Sequence, residues 1–401
     1  MRTFWNFAGP GELVFGLNAS QQLGRLIHAR GWRRILVVTD LNLVSAGIVD
    51  PIRKSLEDAG LGFEIFTGGR PEPDLGTAAT ARVCAEAYCP DAVLGLGGGS
   101  NLDLAKIVAT LQAHRGMPED YFGTDRIPGP ILPVIAVPTT AGTGSEVSHS
   151  AVLTDVAAGI KVSTLSRHLR PALAVVDPTL TLTCPPRATA DSGIDALTHA
   201  IEACTAVDFD QLDAPPEEPF PYSGRTPLGD LLSAEAIRLI GQHLVTAVRE
   251  PMNLIAREGM AWAATLAGMA FSNCGVSVVH ALEYPIGVAV HVSHGAGNGL
   301  LLPYVMRFNL ATRSRVFAEI AASLGGDTAT LTEIEAAELA VALVEKLRES
   351  IGIPIRLRDI GVRSEDLPKF AEKSFAIKRL MRLNPRRPSQ AELLHLLETA
   401  W

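Results

Sequence analysis

The feature that most constrains this chain is a change of period part-way along it. Up to about residue 180, short apolar runs alternate with stretches of helical spacing. The runs are RRILVVTD (Arg33 to Asp40), GFEIFTGG, DAVLGLGGG, PVIAVPTT and ALAVVDPTL. Between them lie SQQLGRLIHARG, a helix near Pro51 to Ala59, GTAATARVCAEAYCP and SNLDLAKIVATLQAHR. Strands of this length alternating with helices predict βαβ units and a parallel sheet. Near Pro185 and Pro186 the strand runs stop, and long helical periodicities follow, such as ATADSGIDALTHAIEACTA and TEIEAAELAVALVEKLRESIG. The expected organisation is an α/β domain over residues 1–186 and an all-helical domain over 187–401. Within the second half, Asp208 to Pro227 is Pro-rich and acidic, and it reads as a long loop.

Composition narrows the function classes. The net charge is -8 and aromatics are 5% of 401 residues, which argues against a nucleic-acid binder with basic patches or stacking platforms. Five cysteines without a CxxC pair suggest neither a disulfide framework nor a zinc ribbon, and they fit a reducing compartment. The longest uncharged apolar stretch, around Ala261 to Phe271, is far short of the ~20 residues that span a bilayer. The start resembles neither a signal peptide nor a transit peptide, so the expectation is a soluble, cytoplasmic protein without membrane or nucleic-acid partners.

Two glycine-rich segments follow apolar strands. In GGGSNLDLAK (Gly97 to Lys106), glycines let backbone approach a phosphate, and amides at a helix start point towards it. The segment has neither GxGxxG nor Walker spacing, since Lys106 lies inside the helix, and a tight turn capped by Ser100 fits it equally well. PTTAGTGSEVS (Pro138 to Ser148) gathers Thr139, Thr140, Thr143 and Ser145 among glycines. It can wrap a phosphate, ribose or amide, or be an ordinary polar loop. Two such loops at strand C-termini carry more weight than either alone, because ligands of open α/β sheets bind there. Asp40 ends the first strand, where an acid can take ribose hydroxyls or simply cap a turn.

The helical half holds a different chemistry. In GIDALTHAIEA, Asp195 and His199 are four residues apart and share one helix face. Taken alone they are as well read as a surface Asp–His hydrogen bond. The segment from Val278 to Pro303 adds His280, His291 and His294, with His280 expected at a helix end and His294 in a turn-rich stretch. Together these supply an oxygen and at least three nitrogens, a set suited to Fe(II) or Zn(II) rather than Ca or Mg. His291 reads as a spare loop histidine, and Trp262 and Phe271 as core packing.

These spaced segments, with PGELVFG at the start and NPRRPSQAELLHLLETAW at the end, resemble the iron-containing (group III) alcohol dehydrogenases over essentially the whole chain. The resemblance implies an α/β dinucleotide-binding domain, a helical domain and a metal in the cleft between them. It implies metal ligation by Asp195, His199, His280 and His294. It implies NAD binding by Gly97, Gly98, Gly99, Ser100 and Asp103, by Thr139, Thr140, Thr143 and Ser145, and by Lys161, with Asp40 favouring NAD over NADP. It also implies a homodimer or larger homo-oligomer.

The implied reaction is hydride transfer between an alcohol and NAD. The metal, Fe2+ or alternatively Zn2+, lowers the alcohol pKa, and the same chemistry run backwards reduces an aldehyde. Many family members carry a histidine near the substrate four residues after the first ligand of HALEYP, where this chain has Tyr284. Tyr284, one turn from His280, is therefore the candidate to contact substrate or relay the proton. Tyr284, the Pro-rich insertion and GRPEPD around Glu72 are similar to the hydroxyacid-oxoacid transhydrogenase branch. That branch implies 4-hydroxybutyrate oxidation coupled to 2-oxoglutarate reduction through a retained NAD. A sugar-phosphate cyclase of similar architecture would need cationic side chains around a phosphate, and the segment from His280 to His294 contains neither Lys nor Arg.

Overall fold

The structure, a computed structural model, describes residues 2–156, 159–213 and 220–401. The central part of the Pro-rich loop, 214–219, lies outside the described residues. The chain divides into two compact units: Gly9–Cys184, and Pro185–Trp401 together with the N-terminal stretch up to Ala8. The expected division at 186/187 differs in assigning that stretch to the α/β half. Its polar backbone is satisfied by the helical unit, where the Ala8 amide donates to Asn273 at 2.8 Å and Asn273 Nδ2 returns a bond to the Ala8 carbonyl at 3.0 Å.

In the first unit, β1 (Leu13–Phe15) is followed by α1 (Leu23–Ala29), β2 (Arg34–Val38), α2 (Leu41–Ser45) and α3 (Val49–Asp58). Next come β3 (Gly62–Phe66), α4 (Leu75–Tyr88), β4 (Ala92–Gly97) and α5 (Gly99–His114). The unit closes with β5 (Gly123–Thr124), β6 (Val134–Pro138), β7 (Ser150–Asp155), β8 (Ile160–Leu165) and β9 (Leu173–Val176). Six strands form a sheet in the order β1-β9-β6-β4-β2-β3, every neighbouring pair parallel. Side chains alternate across it. Leu36, Val38 and Val93 face α4 and α5, whereas Ile35, Val37, Leu94 and Leu96 face α1 and α3, which buries both faces as a parallel sheet requires.

The winding reverses at β2. From β2 the chain moves out to β3 at one edge, then returns to lay β4 on the other side of β2. A crevice opens beyond the carboxyl ends of strands at such a switch point. The loops after β2 and β4 carry Asp40 and Gly97 to Ser100, so they end beside each other. The sequence reading missed β1 and the small sheet β5-β8-β7. SAVLTD and IKVSTL are half polar because only one face of that sheet is buried.

The second unit is helical: α6 (Pro186–Thr205), α7 (Pro227–Arg249), α8 (Leu254–Cys274), α9 (Val278–Val290) and α10 (His294–Asn309), then α11 (Ser314–Ser323), α12 (Glu333–Ser350), α13 (Leu367–Ala376), α14 (Lys378–Leu383) and α15 (Gln390–Ala400). Helices α6, α7 and α8 pack on one another, and α10 packs on α6 and α9. Among the described residues no single helix is long and apolar enough to cross a membrane. The contact between α6 and α10 is set by backbone. A Cβ added at Gly295 would stand 1.9 Å from the Asp191 carbonyl oxygen, which a main chain inside a helix cannot yield cheaply. Gly295→Ala should therefore cost about 1–3 kcal/mol and lower the thermal unfolding midpoint measurably. An unchanged midpoint would show that the two helices have room to part.

Candidate metal centre and dinucleotide site

Three helices bring the metal candidates together. Asp195 lies mid-way along α6, where its neighbours Ile194, Ala196 and Leu197 are fully buried and anchor the helix. His280 is the third residue of α9 rather than its end, and His294 is the first residue of α10 rather than part of a turn. Ser293 caps α10 by accepting from the Ala296 amide, which explains why the polar, Gly-rich sequence HVSHGAG starts a helix. One ligand atom from each of Asp195, His280 and His294 lies within 4.8 Å of the others. His199 lies alongside: its Nε2 is 3.9 Å from Asp195 Oδ1, and its ring stacks on His280 at 4.9 Å. His291 ends α9 in an exposed left-handed conformation, away from this cluster.

Two carboxylates not foreseen from the sequence orient the imidazoles. Glu202, fully buried on α6, accepts from His280 Nδ1 at 2.6 Å, from Ser277 Oγ at 2.8 Å and from the Val279 amide at 2.8 Å. Glu283, buried on α9, accepts from His294 Nδ1. Burial pushes the Glu202 carboxyl pKa up, but the His280 charge and the hydrogen bonds outweigh it and hold the pKa below the usual range. With its proton on Nδ1, each imidazole presents the Nε2 lone pair to the centre.

Those lone pairs converge on one amide. Asn298 Nδ2 is 2.8 Å from Asp195 Oδ1 and 3.2 Å from both His280 Nε2 and His294 Nε2. An amide has two protons for these three acceptors. Asn298 cannot serve all three at once, whereas a cation at their focus would engage them together. The ionisation states suit one. Burial pushes the Asp195 carboxyl up, but the three neighbouring histidines and Asn298 dominate and hold it at about 2. Desolvation holds His199 at about 4, so its imidazole is neutral at pH 7. The residues fit a divalent metal: the ionised Asp195 carboxylate, the neutral imidazole of His199, and two further imidazoles whose Nδ1 atoms face Glu202 and Glu283. His294 is the open side, with its side chain 32% exposed against 3% for Asp195 and His280.

Aromatic rings border the centre. Phe271, expected only to fill the core, stacks on His199 at 4.2 Å. The half-buried Tyr284 sits with ring centroids 5.9 Å from His294 and 6.4 Å from His280.

In the α/β unit the two glycine-containing loops touch. The Thr139 amide donates to the Gly97 carbonyl at 3.0 Å, and a Cβ on Gly99 would come within 2.7 Å of Thr143. Helix α5 is capped by Gly98, not by Ser100, and its intrahelical bonds begin at the Asn101 amide. The Gly99 and Ser100 amides therefore precede the first intrahelical bond, as at an anion-binding helix start. Ser100 Oγ instead accepts from the Glu72 amide at 3.2 Å. Asp40 caps α2 through the Asn42 and Leu43 amides, and its second oxygen accepts from Asn101 at 2.8 Å. Lys161 pairs with Glu72 at 2.8 Å. Asp103 accepts from Ser145 Oγ at 2.5 Å and from the Val152 amide at 2.9 Å, so both residues hold the loop to the helix. Thr140 and Thr143 are partly exposed, whereas Thr139 is buried.

Comparison with known proteins agrees with this architecture. The family model described as "Iron-containing alcohol dehydrogenase" matches residues 10–178, and "Fe-containing alcohol dehydrogenase family, C-terminal" matches 218–401. The chain is 35% identical to the NAD-dependent methanol dehydrogenase of Bacillus methanolicus, over 92% of this chain and 93% of that enzyme. It is 35% identical to the 1,3-propanediol dehydrogenase of Citrobacter freundii, over 99% of each. A crystal structure of a 1,3-propanediol oxidoreductase superposes with a TM-score of 0.92 at 34% identity, covering 99% of this chain and 100% of that one.

The geometry makes two expectations measurable. Glu202→Gln and Glu283→Gln should each weaken divalent-metal affinity by about 10–100-fold, read by chelator competition. Affinity equal to the parent's would mean that the carboxylates do not set the imidazole orientation. Metal-free protein should also lose stability in acid. His199 is depressed from 6.5 to about 4, so the unfolded chain takes up its proton first, and stability falls as pH drops from 6.5 towards 4. Asp195, depressed from 3.8 to about 2, extends the loss below that window. Urea midpoints measured against pH check the sign.

Proposed function

The chain belongs to the iron-containing alcohol dehydrogenase family, and on that premise we propose that it transfers hydride between a primary alcohol or hydroxyacid and NAD. The observation that carries the reading is the convergence of Asp195, His280 and His294 beside the neutral His199. These four are the proposed ligands of Fe2+, with Zn2+ equally suited to the donor set. A metal held there supplies Lewis acidity towards an alcohol or carbonyl oxygen, and bound NAD supplies the hydride acceptor.

The chain's own residues do the rest. Glu202 and Glu283 keep the Nδ1 protons of His280 and His294 in place, so neither imidazole turns its N–H towards the substrate oxygen. Phe271 shields the His199 side from water. The Tyr284 ring lies 5.9 Å from that of His294, and its hydroxyl is the proposed group that contacts substrate and passes on the alcohol proton. In the α/β unit, the Gly99 and Ser100 amides are proposed to take the pyrophosphate, with Gly97 and Gly98 letting it approach and Thr140 and Thr143 lining it. Asp40 is proposed to take the ribose hydroxyls and Lys161 to lie near the cofactor. Asp103, Ser145 and Thr139 support the loops from behind.

The test is NADH absorbance from metal-loaded protein with primary alcohols and with 4-hydroxybutyrate, each with and without added NAD. Continuous NADH formation that needs added NAD and is lost on chelation is the expected outcome. A stoichiometric burst without added NAD, discharged by 2-oxoglutarate, would move the protein to the transhydrogenase reading. No signal from metal-loaded protein would reject both. Tyr284→Phe should lower kcat by about 10²–10⁴-fold and shift its pH profile, while metal content stays constant. A variant with parental rate and profile would remove Tyr284 from the proton path.

A further inference from the structure

Lys106 is a fully buried ammonium that the reaction does not use. It lies on α5, one turn beyond Asp103. Its Nζ is within hydrogen-bonding distance of four oxygens: Ser145 Oγ at 2.9 Å, Ser148 Oγ at 3.1 Å, and the carbonyls of Ser148 at 3.2 Å and Ser150 at 2.8 Å. All four belong to the segment that runs from the threonine loop into β7. Asp103 reaches the same segment through Ser145 and the Val152 amide, with its Oδ1 3.9 Å from Nζ. The N-terminal end of α5 meets the same loop where Gly99 packs on Thr143. One helix therefore grips the loop twice, once by backbone contact and once by a buried charge.

We propose that Lys106 is a positioning residue whose ammonium sets the shape of the Thr139–Ser148 loop, so that dinucleotide affinity depends on this one buried charge. The inference rests on reading that loop as part of the NAD site. Glycines and hydroxyls make up most of the largely buried stretch from Thr139 to Ser148, with Val147 its one fully buried aliphatic side chain, so its shape must come largely from polar bonds. Three ammonium protons shared among four oxygens supply them. A neutral amine would offer two, without attraction to Asp103.

The charge itself is conditional. Burial pulls the Lys106 pKa down to about 8; Asp103 and Glu146 raise it, and Arg170 lowers it further. The ammonium is intact at pH 7 and is lost as pH rises through 8.

The experiment is NADH binding by fluorescence titration from about pH 6.5 to about pH 9.5, on metal-loaded protein. In the parent, Kd should be flat below the Lys106 pKa and weaken roughly tenfold above it. Lys106→Met should bind weakly at every pH, with KM for NAD raised and kcat largely kept. Asp103→Asn should move the break to lower pH, a shift that a merely structural role would not produce. A parent Kd independent of pH, or Lys106→Met with parental affinity, overturns the proposal. If Lys106→Met does not fold, the parent profile and the Asp103→Asn shift still decide. If the parent binds no NADH at any pH, the NAD reading of the loop fails by itself. The clamp is then judged by hydrogen exchange at pH 7, comparing the parent with Lys106→Met or, where that variant does not fold, with Asp103→Asn. Faster exchange confined to residues 139–152 in the variant upholds it, and equal exchange overturns it.

Discussion

The metal centre depends on where two protons sit. A neutral imidazole carries one proton, and whichever nitrogen holds it cannot bind a cation. Glu202 and Glu283 decide the matter by accepting from Nδ1 of His280 and His294. Every other feature of the centre follows from that choice. The two Nε2 atoms point inward, they meet Asp195 Oδ1 within 4.8 Å, and Asn298 is left with more acceptors than protons. Burying carboxylates is costly unless they are paired and hydrogen-bonded. Glu202 meets that condition with three donors, two of them at the start of α9. The same contacts that ionise Glu202 therefore also fix how α9 begins, and with it the place of His280.

The α/β unit is built on the opposite sign. Its proposed ligand is an anion, and the structure offers amides instead of carboxylates. The reversal of winding between β2 and β4 sets their carboxyl ends side by side, where open α/β sheets bind ligands, and α5 starts there with Gly99 and Ser100 ahead of its first intrahelical bond. Charged side chains near it are held in place by protein partners of their own. Asp40 caps α2 and binds Asn101, Lys161 pairs with Glu72, and Asp103 and Lys106 bind the underside of the loop. A site for a dinucleotide can thus be assembled from backbone whose own shape is maintained by side chains behind it.

What the sequence disclosed follows from how each feature is encoded. Period two against period 3.6 is a local pattern, so the parallel sheet and the helical half were legible from apolar spacing alone. Asp195 and His199 were legible because four residues separate them on one helix. The grouping of His280 and His294 with them came from resemblance, since they lie on two different helices, three and four helices further along the chain. Glu202 and Glu283 were missed, yet each left a signal: a lone acid in an apolar helical segment, HAIEAC and HALEYP, which burial permits only with a partner. Asn298 left none, because an amide near a glycine-rich helix start also suits a cap. The cap at Gly98 and the edge strand β1 were illegible because tertiary packing alone selects them, and three residues of strand carry too little pattern to read.

The four proposed ligands are not held alike. His280 and His294 are fixed by carboxylates, and Asp195 by Asn298. Among the described residues the buried Nδ1 of His199 has no hydrogen-bond partner, and the ring is restrained by stacking between Phe271 and His280. A stack fixes the plane of a ring far better than its rotation within that plane, because dispersion contacts are non-directional. Burial supplies what the missing carboxylate does not, by keeping His199 neutral at a value near 4, so that it offers a lone pair without first losing a proton. The centre therefore combines two imidazoles whose direction is set by charge with a third whose availability is set by desolvation. The third is the most compliant of the proposed ligands, whereas His294, the most exposed of them, keeps its direction from Glu283.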